Sequence, residues 1–187
     1  FGRAYRQRLQ GTWGIVDTAD CINAAAWLAS QGEVDGDRLL IRGGSAGGYT
    51  TLCALTMHEG FAAGTSYFGL ADLESFVSGG THKFESGHLH RLMGTTPAKS
   101  REVSAKRSTI NLIEGITAPV ILFQGLDDKV VPPEQSRLIV DRLKRRGVDV
   151  AYHEQLSSRD GALHHLGDSV TGDGHGDNEV IVVDVSL

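Results

Sequence analysis

The sequence predicts an α/β protein, a mostly parallel sheet with helices on both faces. Three observations carry this. Strand-like and helix-like stretches alternate along most of the chain. Pro119-Val-Ile-Leu-Phe-Gln124 is an apolar run suited to a strand buried on both faces. Arg42-Gly-Gly-Ser-Ala-Gly-Gly-Tyr49 crowds glycines around one serine, directly after the apolar run Leu39-Leu-Ile41.

Taken in order, Asp17 is placed to cap a helix running to about Gln31, with Asp20 three residues on and Ile22, Ala25, Ala26 and Ala29 sharing a face. The turn-rich Glu33-Val-Asp-Gly-Asp37 leads into a short strand from Arg38 to Ile41. A second helix is expected over Tyr49 to Met57, and a strand over Ala62 to Phe68, ending at Gly69. Residues 71–118 hold broken helical patterns and read as a loop over one sheet edge. After the strand at 119–124, Pro132 and Pro133 open a helix that Leu138, Ile139, Arg142 and Leu143 continue. Lys144-Arg-Arg146 suits that helix's negative end as a solvated terminus, and Gly147 stops it. Val148 to His153 completes the pattern as a strand. From Ser157 the character changes to Gly, Asp, Ser and His, closing on the apolar run Val180 to Val183. That is either a long loop with an edge strand or a tail foreign to the preceding domain.

Composition bounds the function. A chain of 187 residues, 40% hydrophobic and 22% charged, is ordinary for one soluble domain, but 24 glycines imply many tight turns. A net charge of −5 offers no basic footprint for nucleic acid, and no apolar run is long enough for a membrane helix. Phe1-Gly-Arg-Ala-Tyr-Arg6 is not a signal peptide, and a first residue that is not Met suggests a piece of a longer chain. Cys21 and Cys53 lie in alanine-rich helical stretches and read as buried free thiols, which fits a cytoplasmic location.

Strand, G-x-S-x-G, helix is the context that gives a serine its chemistry, and Gly43-Gly-Ser-Ala-Gly47 supplies it. The sharp turn exposes the Ser45 hydroxyl, while the Ala46 amide at the helix start faces a developing oxyanion. The blander alternative is a glycine-rich connection. A phosphate loop is disfavoured because no Gly-Lys-Ser/Thr follows. Serine needs a base oriented by an acid, in the chain order Ser, Asp or Glu, His. Asp127 would emerge just beyond the buried strand, with Asp128 as its rival and Asp72 as a third candidate better suited to capping.

Several blocks in order resemble the catalytic domain of the prolyl oligopeptidase family, in its bacterial dipeptidyl aminopeptidase/acylaminoacyl-peptidase branch. They are Trp13-Gly-Ile-Val-Asp17, Arg42 to Tyr49, Ser66-Tyr-Phe-Gly69, Thr81-His-Lys-Phe-Glu-Ser86 and Phe123-Gln-Gly-Leu-Asp-Asp-Lys-Val-Val-Pro132. The likeness runs from residue 1 to about residue 154. It implies an α/β-hydrolase fold with Ser45 as nucleophile. Asp127, with Val130 three residues on, becomes the acid. Relatives also carry a β-propeller, further strands and an oxyanion-binding tyrosine upstream of the position matching Phe1, so the resemblance implies a sheet lacking its amino-terminal strands. Residues 1–155 are then a partial peptidase catalytic domain and 156–187 a divergent tail.

The histidine is where the chain departs from that pattern. The family places it in a glycine-flanked loop soon after the last strand, where this chain has Leu156-Ser-Ser-Arg-Asp160. Of His164, His165 and His175, only His175, in Gly172-Asp-Gly-His-Gly176, looks like such a base. Either an insertion displaced the loop or the sequence after about 155 is unrelated and the base is lost. His58, His88 and His90 read as solvent-facing and His82 as structural or at a pocket edge. A metal site among His164, His165, His175, Asp168, Asp173 and Asp177 lacks recognised ligand spacing. The expectation is a serine peptidase acting on short peptides or acyl-peptides without metal or cofactor. Its rivals are an esterase on the same fold and an inactive fragment.

Overall fold

The computed structural model describes residues 2–78, 89–96, 99–155 and 181–185. Among these described residues, five strands form one parallel sheet: β1 (Leu39–Gly44), β2 (Phe61–Tyr67), β3 (Val120–Gly125), β4 (Val150–Gln155) and β5 (Ile181–Val185), in the order β4-β3-β2-β1-β5. Among the described residues the helices include α1 (Gly2–Gln7), α2 (Val16–Ser30), α3 (Ala46–Met57), α4 (Leu73–Ser78), α5 (Ser100–Arg107) and α6 (Pro133–Arg145).

The strands alternate burial because one face of the sheet carries the shared core. Leu39 and Ile41 of β1 and Val120 and Leu122 of β3 meet Ala25 of α2, Leu52 and Leu55 of α3, and Ile139 and Leu143 of α6. Burial of these aliphatic side chains is the main stabilising term, about 1.5–3 kcal/mol for each large one. A second cluster, around Trp13, Tyr49, Phe68, Leu73 and Met93, packs segment 9–13 against α3.

Several expectations shift. The strand expected over Arg38 to Ile41 runs on through the glycines to Gly44, because β2 and β5 pair with it on both sides. The helix expected from Tyr49 begins at Ala46, since Gly47 and Gly48 are inside it, where close packing outweighs their poor helix propensity. Asp17 is not an N-cap. The helix starts at Val16, and the Asp17 carboxylate turns back to accept the Gly14 N–H at 2.6 Å. Segment 71–118 is more than an edge loop. The described part contains α4, α5 and two 3₁₀ turns that sink Ile113 and Ile116 into the core beneath α3. Turns of three residues are too short to leave a periodic signal. Arg146 is not simply solvated either: its guanidinium donates to the carbonyls of Ile113 (2.6 Å), Ile116 (2.8 Å) and Glu114 (2.8 Å).

The apolar run near the end of the chain does form a strand. β5 pairs with β1 in register from Leu39↔Ile181 to Gly43↔Val185, and Arg42 Nη2 lies 2.7 Å from Asp184 Oδ2 across the pair. No helix among the described residues is long and apolar enough to cross a membrane.

Candidate active site

Ser45 occupies the junction of β1 and α3 with φ 53° and ψ −116°. Only it and Phe68 (φ 40°) hold a positive φ without being glycine among the described residues. Such a conformation costs of order 1–3 kcal/mol, so surrounding contacts must impose it. The Ser45 N–H donates to the Tyr67 carbonyl at 2.9 Å, and the Ser45 carbonyl accepts from the Tyr49 N–H at 3.0 Å. A serine before a helix ordinarily bonds its hydroxyl to the first-turn amides. Here no such bond forms, the side chain is exposed, and the hydroxyl is left for other partners. The Ala46 N–H, first of the helix's amides, lies beyond the reach of intrahelical acceptors.

The glycines explain how the turn closes. A Cβ on Gly47 would overlap the Val185 carbonyl of β5, and one on Gly48 would sit 2.8 Å from the Gly69 Cα. The turn is thereby wedged between β5 and the end of β2.

Asp127 follows β3 through Gly125 and Leu126, whose N–H donates to the Gln155 carbonyl at 2.8 Å. Its side chain is exposed. Asp128 is occupied otherwise: Oδ1 accepts the N–H groups of Val130 (2.8 Å) and Val131 (2.9 Å), shaping the turn into α6. Asp72 caps α4 by accepting from the Glu74 and Ser75 N–H groups at 2.9 and 3.2 Å. Ser45 and Asp127 thus leave the carboxyl ends of strands separated in the sheet by β2 alone. Crevices beyond the carboxyl ends of parallel strands are where such folds bind ligands.

His175 lies outside the described residues, as do His82, His88, His164, His165, Asp168, Asp173 and Asp177. Of the described histidines, His58 is partly buried rather than solvent-facing. Its Nδ1 accepts the Gly60 N–H at 3.0 Å, and its ring meets Phe61 edge-on at 5.7 Å. His90 is likewise half-buried, and its Nδ1 has no partner among the described residues. His153 stacks on Phe123, which stacks on Tyr67, each pair 5.1 Å apart between ring centroids. Its strand, β4, is three steps from β1, about 14 Å at ~4.8 Å per strand, so His153 cannot take the Ser45 proton.

One group around α3 escaped sequence reading. Asp17 Oδ2 accepts the Thr50 hydroxyl at 2.6 Å while Oδ1 holds Gly14, and the carboxylate is only 8% exposed. The Tyr49 hydroxyl donates to the Arg107 carbonyl at 2.9 Å, and the Arg107 guanidinium donates to the carbonyls of Gly11 (2.7 Å) and Trp13 (3.2 Å). Burial pushes the Tyr49 hydroxyl well above its ordinary range and the Cys53 thiol to about 12. The only sequence signal was the block Trp13 to Asp17, where an acid beside a helix start mimics a cap.

Comparison with known proteins bears on the fold and the family. The family described as "Prolyl oligopeptidase family" matches residues 1–165. Dipeptidyl aminopeptidase BIII of Pseudoxanthomonas mexicana is 29% identical over 156 residues, 81% of this chain and 23% of that protein. The structure of a puromycin-hydrolyzing peptidase of Mycobacterium tuberculosis superposes with a TM-score of 0.79 at 46% identity, covering 82% of this chain and 23% of the other. An acylaminoacyl peptidase of Pyrococcus horikoshii shares the fold, with a TM-score of 0.77 at 23% identity over 88% of this chain and 27% of its own. The chain therefore spans about a quarter of the length of these relatives. With the strained serine turn, the parallel α/β-hydrolase sheet and a match over most of its length, this chain belongs to the prolyl oligopeptidase family.

Proposed function

We propose that this chain carries the catalytic machinery of a serine-type peptidase that hydrolyses short peptides or N-acylated peptides through an acyl-enzyme on Ser45. The supporting observation is the conformation of Ser45: a non-glycine residue held at φ 53°, exposed, with its hydroxyl not spent on capping α3. In this reading Ser45 Oγ attacks the scissile carbonyl carbon and its proton passes to His175. Asp127 orients the imidazole, and the Ala46 N–H stabilises the tetrahedral oxyanion. The imidazolium returns the proton to the leaving amine as the C–N bond breaks. Water, deprotonated by the same histidine, then releases the acid. Every step is acid–base or acyl transfer by side chains, so the reading calls on no metal or cofactor.

Residues 1–155 hold the nucleophile and the acid, and 156–187, which contribute β5, would have to supply the base. The names of the relatives favour cleavage after a short amino-terminal portion of a peptide. The negative net charge argues against a nucleic-acid partner, and the free thiols of Cys21 and Cys53 favour the cytoplasm.

The test is intact-mass analysis after a fluorophosphonate, followed by turnover of a dipeptidyl anilide and a p-nitrophenyl ester. We expect one adduct in the wild type, none in Ser45→Ala, and anilide hydrolysis lowered at least about a hundredfold in Asp127→Asn and His175→Ala, with Asp128→Asn much milder. Hydrolysis of the ester alone would replace the peptidase by an esterase. A folded wild-type chain that forms no adduct would mean that the serine turn persists as architecture without chemistry.

A further inference from the structure

Asp17 is a buried carboxylate that the acyl-transfer steps do not use. We propose that Asp17 is a positioning residue for the nucleophile turn: by accepting the hydrogen bond that the Thr50 hydroxyl donates, it keeps that hydroxyl off the Ala46 carbonyl and preserves the first turn of α3. The inference rests on Ser45 being the nucleophile for its kinetic arm only.

The competition is visible in the distances. Thr50 Oγ1 has one proton and two acceptors, Asp17 Oδ2 at 2.6 Å and the Ala46 carbonyl at 3.2 Å. The shorter bond, to a carboxylate, is the stronger, so the O–H points at Asp17. The Ala46 carbonyl is also where the helix bonds the amide four residues on, which is the Thr50 N–H. A threonine hydroxyl that bonds back to the carbonyl four residues earlier weakens that helical bond and bends the helix. At this helix the bent turn would be the one bearing Ser45 and the Ala46 N–H.

Asp17 is suited to this task because it cannot swing away. Its second oxygen receives the Gly14 N–H at 2.6 Å. Gly14 is itself fixed, at φ 78° with the Tyr49 ring occupying the space a Cβ would need. Trp13 packs on that ring at 4.4 Å, and Arg107 ties down the carbonyls on either side of Thr12. In Asp17→Asn the amide oxygen can still accept from Gly14. The NH2 then faces Thr50 and turns its hydroxyl proton onto the Ala46 carbonyl.

The experiment is a double-mutant cycle on the full chain with two readouts: the rate constant for fluorophosphonate labelling of Ser45, and hydrogen exchange of amides 46–50. We expect Asp17→Asn to slow labelling about tenfold and to speed exchange at Thr50. Thr50→Val, which has no hydroxyl to redirect, should label within about threefold of wild type, and adding Asp17→Asn to it should change neither readout. An equal loss from Asp17→Asn in both backgrounds would overturn the proposal, as would unchanged exchange at Thr50. Should Asp17→Asn fail to fold, a loss of about tenfold or more in Thr50→Val alone overturns it as well. If the wild type takes no label, the proposed chemistry fails, and amide exchange still decides the role of Asp17.

Discussion

At the scale of single residues, the site is built from conformations that sequence preference alone would avoid. Ser45 and Phe68 both carry positive φ, and a backbone bond to a neighbouring segment holds each: Ser45 N–H to the Tyr67 carbonyl at 2.9 Å, and Phe68 N–H to the Phe123 carbonyl at 2.8 Å. The strain is tolerable because small residues let β1, α3, β2 and β5 converge there. Gly47 is the sharpest case, since its missing Cβ makes room for the Val185 carbonyl, which as backbone cannot rotate aside. Gly47→Ala should therefore destabilise by about 1–3 kcal/mol despite alanine's better helix propensity, and should do so by displacing β5. Urea denaturation together with amide exchange at 181–185 checks this; an unchanged midpoint would show that β5 does not press on the turn.

At the scale of elements, β5 raises the question of what holds an outer strand in place. Two contacts stand out. Arg42 and Asp184 face each other across the β1–β5 pair, but Asp184 is 45% exposed, so the ion pair contributes no more than about 1 kcal/mol. Val185 is 6% exposed and belongs to the main core. Burial should outweigh charge. We expect Val185→Ala to cost about 1–3 kcal/mol and Asp184→Ala under about 1, with the Asp184 effect shrinking further in 1 M salt. Chemical denaturation of the two variants gives the ranking, and the reverse order would make the ion pair the anchor of the strand.

At the scale of the whole molecule, burial of ionisable groups under α3 sets an alkaline limit to stability. The Cys53 thiol is raised to about 12 by burial, against an ordinary value near 9, and the buried Tyr49 hydroxyl moves in the same direction. Unfolding frees both to ionise. Above about pH 9 the unfolded chain binds fewer protons than the folded one, so stability falls as pH rises. The contribution is complete below about 9 and is lost progressively toward 12. Unfolding free energies at pH 8, 9 and 10 should decline, and Cys53→Ala should flatten the decline. A flat profile in the wild type would mean that Cys53 is not buried as described. The same thiol should resist alkylation at pH 8 more strongly than the partly exposed Cys21.

Local chemistry was enough to announce much of this protein. The alternation of apolar runs and helical faces gave the parallel α/β order, and the glycines around Ser45 marked the strand-to-helix turn, because such a turn can close only where side chains are absent. Pro132, Pro133 and Gly147 bounded α6 for equally local reasons, a fixed φ at one end and a permissive one at the other. What the fold alone decided were matters of which distant groups meet. Asp17 resembled a helix cap in sequence and became a buried acceptor only because α3 brings Thr50 against it. Arg146 looked like a solvated helix end until the 3₁₀ turns at 109–115 placed three carbonyls around it. The adjacent Asp127 and Asp128 differ in no local propensity, and it is the turn into α6 that spends one carboxylate on backbone amides and leaves the other exposed. Propensity is a property of neighbours in the chain, whereas the partner of a buried polar group is chosen by neighbours in space.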